Sequence, residues 1–201
     1  MPRPIAAWRQ VDRRLEEKGL ELGRRLGHNG VARMQKNSVV EIVRSLNGSG
    51  TRYLIAGGLA VVAHGYLRLT ADVDIILDLE DTRLRDCLRA LASLGYKPRA
   101  PVSLDEFAIQ AKRAQWIREK GLKVFSLFSS RHPATEIDLF AESPVDFGQA
   151  YARASRQEVA PGMEAVFLGL EDLIQLKQAA GRTKDLDDIS RLKSLREGGH
   201  E

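Results

Sequence analysis

Thirteen residues separate a double glycine, Gly57-Gly58, from an aspartate pair, Asp72 and Asp74, and the segments around them leave little freedom of fold. The run Arg52-Tyr53-Leu54-Ile55-Ala56 predicts a strand that ends at the glycines. Leu59 to Leu67 has the length of a helix, and Asp72 to Leu77 predicts a second strand. Glycines at a strand-to-helix junction let the chain turn sharply, and the free N–H groups of a helix start favour phosphate. Alternation along the second strand sends Asp72 and Asp74 to one face and Val73, Ile75 and Leu77 to the other, the core side. Two neighbouring carboxylates repel each other unless a cation relieves them, and oxygen donors of this kind suit Mg²⁺ or Mn²⁺. A phosphate cradle facing an acidic pair gives the expectation of phosphoryl or nucleotidyl transfer.

The remainder of the chain predicts a mixed α+β arrangement with helices flanking a sheet. Helices are expected at Asn37 to Leu46, Glu80 to Leu94, Leu104 to Lys120, Leu170 to Ala180 and Lys184 to Leu195, with a shorter one at Phe147 to Ala154. Strands are expected at Leu122 to Ser129 and Thr135 to Phe140, with Arg131-His132-Pro133-Ala134 as the hairpin turn between them, and near Val159 and Val166-Phe167. Cys87 falls on the stripe Leu84, Cys87, Leu88, Leu91 and reads as core. His64, alone in an apolar helix, reads as packed and hydrogen-bonded. Trp116 among Lys112, Arg113, Arg118, Lys120 and Lys123 reads as an anchored aromatic in a solvated basic helix.

Charge divides the chain in two. Residues 1–33 hold 8 Lys and Arg against 4 Asp and Glu, whereas the whole chain holds 31 against 27, which leaves 23 of each in residues 34–201. The basic pI of about 9.3 therefore belongs to the first segment and argues little for nucleic-acid binding by the rest. We expect residues 1–33 to be a basic extension, helical or disordered, and a possible dock for a partner protein. Residues 34–201 are expected to form one domain. No apolar run is long enough for a membrane span, no signal-peptide core follows Met1, and one cysteine fits a reducing compartment, so the expected location is cytoplasmic.

The pattern apolar-Gly-Gly followed by Asp-apolar-Asp-apolar resembles the signature of the DNA polymerase beta-like nucleotidyltransferase superfamily. The stretch from Gly57 to Asp74 is similar to its small bacterial and archaeal members, the AbiEii-like and minimal nucleotidyltransferases. A later run, Asp172-Leu173-Ile174-Gln175-Leu176-Lys177 to Gly181-Arg182-Thr183-Lys184-Asp185-Leu186-Asp187-Asp188-Ile189, resembles the basic motif near the end of the same group. The likeness spans residues 37–195. It implies a nucleotidyltransferase fold with a helical C-terminal end and transfer of a nucleoside monophosphate from NTP, ATP included, to a hydroxyl on RNA, protein or a small molecule. A toxin–antitoxin or phage-defence setting is a family-level association.

The resemblance also sorts the candidate residues. Asp72 and Asp74 would hold one or two divalent metals. The third acid of the superfamily lies on a neighbouring strand, which selects Asp138, with Glu136 on the same face as the fallback. Gly57 and Gly58 would border the phosphates, and the second glycine replaces a serine found in many members. Arg68 and Thr70, just before the acids, are placed to reach a nucleotide phosphate. Lys177, Arg182 and Lys184 would converge on triphosphate or acceptor phosphates, oriented by Asp185 and Asp188. A binding module without catalysis and a phosphotransferase delivering a γ-phosphate are the alternatives.

Overall fold

A computed structural model describes residues 36–66, 68 and 70–198, so the expectations for residues 1–33 lie outside the described residues. The apolar stripe Val39, Ile42, Val43, Leu46 forms the buried side of α1 (Lys36–Ser49). After it come β1 (Tyr53–Ile55), α2 (Gly57–Ala63), β2 (Asp72–Leu77), α3 (Leu84–Ser93) and the two-residue β3 (Lys97–Pro98). A 3-10 turn at Leu104–Ala108 precedes α4 (Gln110–Lys120), β4 (Val124–Phe128) and β5 (Glu136–Phe140). The chain continues through α5 (Phe147–Ala152), β6 (Ser155–Ala160), β7 (Met163–Phe167), α6 (Leu170–Ala180) and α7 (Thr183–Gly198).

The strands form one mixed sheet in the order β3-β4-β5-β2-β1-β7-β6. β2 lies at its centre, antiparallel to β1 and parallel to β5. The core side of β2 and β5, Val73, Ile75, Ile137 and Leu139, is completely buried and belongs to one cluster with the stripes of α1 and α3. Burial of this kind contributes roughly 25 cal/mol per Å² of apolar surface, enough to fix which face of each strand turns inward. The opposite face is left for the acids. Among the described residues, no helix is long and apolar enough to cross a membrane.

Two local differences from the sequence reading have clear causes. The helix expected over Leu104 to Lys120 is interrupted, because Ser103 and Glu106 close a capping box around a separate 3-10 turn. Phe107 in that turn is fully buried, and the Arg113 side chain donates to its carbonyl across the break. The hairpin turn at residues 131–134 is less solvated than its sequence suggests. His132 is buried there, with Nδ1 2.9 Å from the Ser38 hydroxyl and its ring stacked on Tyr96. Trp116 is indeed anchored, stacked on Phe125 with centroids 5.5 Å apart, and Cys87 is core.

The helical end is fastened by buried charge. Lys177 on α6 donates to Asp185 Oδ1 at 3.2 Å and Asp188 Oδ2 at 2.6 Å on α7. Arg68, in the segment before β2, donates to the same Asp188 oxygen at 2.5 Å, and Arg182 donates to Asp185 at 2.6 Å. Burial alone would raise the Asp185 pKa, but the hydrogen bonds from Arg182 and Lys177 hold it below the usual aspartate value. Tyr66 adds a contact to Asp187, so α7 is tied both to α6 and to the approach to β2. Removing one member of a buried ion cluster strands the others in low dielectric. Lys177→Met should therefore lower the unfolding free energy by about 3 kcal/mol in urea titrations. Lys184→Met, on the exposed start of α7, should change it by less than about 0.5 kcal/mol.

Candidate active site

Strand register gathers the acids. Asp72 of β2 stands beside Glu136 of β5, and Asp74 stands beside Asp138. β4 extends the second row, because its Ser126 is the partner of Asp138. Paired positions share a face of the sheet, so Asp72, Asp74, Glu136, Asp138 and Ser126 all project from the side opposite the core. The Ser126 hydroxyl donates to Asp138 Oδ1 at 2.5 Å.

The glycines make room for this row. Gly57 has φ +58°, and a Cβ there would fall 1.7 Å from Asp74 Oδ2. Both the backbone conformation and the carboxylate position therefore require glycine. Gly58 meets a second neighbour: a Cβ would lie 2.6 Å from the Thr70 hydroxyl. Thr70 thus sits over the turn and also donates to the Asp72 carbonyl at 3.3 Å.

The acids differ in their compensation. Glu136 is gripped by both arms of the Arg99 guanidinium, whose hydrogen bonds hold its carboxyl below the usual glutamate value. Asp138, on the same strand, has no ion-pair partner among the described residues and accepts only from Ser126. Asp74 is the most strained electrostatically: burial first, then the charges of Asp138 and Asp72, push its pKa to about 6. Asp72 is raised by burial and by Asp138 and Glu136. Opposing this, Arg182 and Lys177 act on Asp74, and Lys184 and Arg99 act on Asp72. Of the expected cations, Lys177, Arg182 and Lys184 thus act on the acids, and the four differ in state. Lys177 is buried and committed to Asp185 and Asp188, Arg68 is paired with Asp188, and Arg182 is paired with Asp185 while half exposed. Lys184 is exposed.

His64 takes no part; its Nε2 lies 2.8 Å from the Leu168 carbonyl, and burial lowers its pKa. Asp78 closes the far end of β2 in an ion pair with Arg52 at 2.5 Å. The sequence reading missed Arg99 and Ser126, and only the pairing of β4 with β5 could have indicated Ser126.

Among solved structures, the fold matches the lincosamide antibiotic adenylyltransferase LnuA in its lincomycin-bound form. The match has a TM-score of 0.55 at 16% identity and covers 81% of this chain and 99% of that one. The chain has a nucleotidyltransferase fold. No family model matches the sequence, and no curated protein matches it either. At this identity the likeness carries the fold, and the chemistry rests on the residues.

Those residues fit a hard divalent cation in type: carboxylates from adjacent strands, in register, with two of them raised in pKa by burial first and then by the neighbouring acids. As the side chains stand, however, no three His, Cys, Asp or Glu groups among the described residues converge tightly enough to form a closed metal cage. In this arrangement Asp138 Oδ1 accepts from Ser126, and Asp74 Oδ2 lies where a side chain on Gly57 would stand.

Two outcomes test this geometry. Gly57→Ala should destabilise the fold by about 2 kcal/mol or more, because the added methyl must expel the Asp74 carboxylate from a left-handed turn. Chemical denaturation checks it. The second outcome concerns pH. A carboxyl whose folded pKa lies above its unfolded value stabilises the fold below pH 4, and the contribution is lost as pH rises to about 6. In chelator, Asp74→Asn should therefore be more stable than the natural protein at pH 7, by on the order of 2 kcal/mol, and lose that advantage near pH 4. Thermal unfolding across that range measures it.

Proposed function

We propose that the protein is a metal-dependent nucleotidyltransferase of the AbiEii-like or minimal kind, moving a nucleoside monophosphate from NTP to a hydroxyl acceptor. What supports this reading is the in-register row of Asp72, Asp74 and Asp138 on the open face of a sheet with the nucleotidyltransferase fold. Asp72, Asp74 and Asp138 would hold Mg²⁺ or Mn²⁺, which would supply charge neutralisation at the α-phosphate and activation of the acceptor hydroxyl. The remaining work falls to the chain itself. The Gly57-Gly58 turn admits the phosphates at close range. Arg182 and Lys184 face the negative charge of the departing pyrophosphate, and Lys177 acts as a buried positive charge behind them. Arg68 and Thr70 border the phosphate side. Transfer forms a bond from the acceptor oxygen to the α-phosphorus and breaks the α–β bridge. The acceptor proton passes to Asp138, one strand farther from β1 than the pair on β2.

Acceptor candidates are RNA, protein and small molecules, and the fold shared with LnuA keeps small molecules among them. A toxin–antitoxin or phage-defence role belongs to the same proposal, as does a partner protein on residues 1–33. One observation favours a second reading, a nucleotidyltransferase-fold module that binds without turnover: the three acids do not form a ready-made cage.

Incubation with each α-labelled NTP, starting with ATP, in Mn²⁺ or Mg²⁺ with total RNA, cell protein and soluble metabolites separates these readings. Label on any acceptor, with pyrophosphate released and loss of at least about a hundredfold in Asp72→Asn and Asp74→Asn, is the expected result. Nucleotide binding with no product supports the module. Release of NDP supports phosphotransfer instead.

A further inference from the structure

A serine in the middle of a strand is an unusual choice. Serine has no β-branch to fill the pleated surface, and the two residues around Ser126, Phe125 and Leu127, are core. Threonine or valine would suit the strand better on packing alone. What Ser126 has in this place is its hydroxyl, 2.5 Å from Asp138 Oδ1, on the side of Asp138 away from Asp74. The contact is a short hydrogen bond to a carboxyl oxygen, and it restrains the rotation of the Asp138 side chain.

That bond has a directional consequence. The strand order runs β4-β5-β2, so Ser126, Asp138 and Asp74 stand in one line across three strands. Occupation of Oδ1 from the β4 side leaves Oδ2 as the oxygen of Asp138 directed to the carboxylates of β2. Neither Asp138 nor Asp74 has an ion-pair partner among the described residues that would otherwise hold it, whereas Glu136 on the same strand has Arg99. Without the hydroxyl, repulsion from Asp74 and Asp72 would be free to rotate Asp138 out of the row.

We infer that Ser126 is a positioning residue: its hydroxyl holds Asp138 so that a single oxygen, Oδ2, is offered toward Asp72 and Asp74 and the divalent cation they share. This assignment rests on the metal-dependent reading proposed above. It makes a residue outside the acidic set a determinant of metal affinity.

Mn²⁺ alone is the probe, titrated into the full chain without nucleotide, with free Mn²⁺ read by electron paramagnetic resonance. Ser126→Thr keeps the hydroxyl, and Ser126→Val has nearly the same shape without it. Ser126→Ala is the second hydroxyl-free variant, and circular dichroism reports the folded state of each. The expected result is a loss of Mn²⁺ affinity of about tenfold in the Val and Ala variants, the size seen when a partner of a ligating group is removed. The Thr variant should bind as the natural protein does. Folded Val and Ala variants that retain the natural affinity would overturn the assignment, leaving Ser126 as a residue that merely satisfies a half-buried acid. A Thr variant as weak as the Val variant would overturn it too, since shape and not the hydroxyl would then be responsible. If the natural protein itself binds no Mn²⁺, the metal-dependent reading fails first and this assignment with it, an outcome distinct from the other two.

Discussion

The contact between Gly57 and the Asp74 carboxylate sets the rest of the site. A side-chain oxygen occupies the space where any other residue would carry its Cβ, and the backbone there has the positive φ that glycine tolerates. One residue thereby ends β1, starts α2 and brings the chain against the central strand. The Ala56 amide, one position earlier, donates to the Asp74 carbonyl at 2.8 Å, so the same aspartate is held by its backbone as well. The double glycine thus serves first to admit an acid, and any closeness to phosphate follows from the opening that remains. This is a more specific requirement than flexibility.

Beside that contact lie two charge clusters built on opposite principles. In the clasp of α6 and α7, each buried acid has at least two cationic donors: Lys177 and Arg182 for Asp185, Lys177 and Arg68 for Asp188. Desolvation is offset by geometry, and the helices gain a fixed register. In the row on β2 and β5, carboxylates face each other with cations only at a distance, and burial drives the Asp74 pKa upward. A fold that compensates one cluster so fully and leaves its neighbour uncompensated is not short of basic residues. The clasp keeps Lys177 and Arg182 near Asp74 yet bound to α7, so their charge tempers the row without filling it. Uncompensated acid on a sheet face is costly, and a bound cation would offset that cost.

How much of this was legible depended on the range of the interaction. Alternation placed Asp72, Asp74 and Asp138 on one face because the period of a strand is two, and Val73, Ile75, Ile137 and Leu139 left no other choice. The hairpin between β4 and β5 was legible as well. The pairing of Lys177 with Asp185 and Asp188 was expected, whereas its burial was readable and missed: Leu170, Leu173, Ile174 and Lys177 lie at i, i+3, i+4 and i+7. Asp185, Asp188, Ile189 and Leu192 repeat that spacing on α7, so both helices carried their charges on the buried stripe. By contrast, Arg99 reaches Glu136 across 37 positions and Ser38 reaches His132 across 94. Nothing in local periodicity announces such pairs. The break at Ile109 was hidden because the capping box of Ser103 and Glu106 lies inside what reads as one helical stretch.

The pairing of Glu136 with Arg99 also draws the boundary of the site. Two acids on β5 share a face, and each stands beside an aspartate of β2. Only one of them is neutralised, at the exposed end of the strand, where Arg99 also stacks over Phe128 at 5.5 Å. The other is met by a neutral hydroxyl, which steers a carboxylate without cancelling its charge. A guanidinium in place of Ser126 would have silenced Asp138 as it does Glu136. The difference between the two acids on this strand therefore lies in their partners outside it, Arg99 after β3 and Ser126 on β4, and the composition of the strand itself does not contain it.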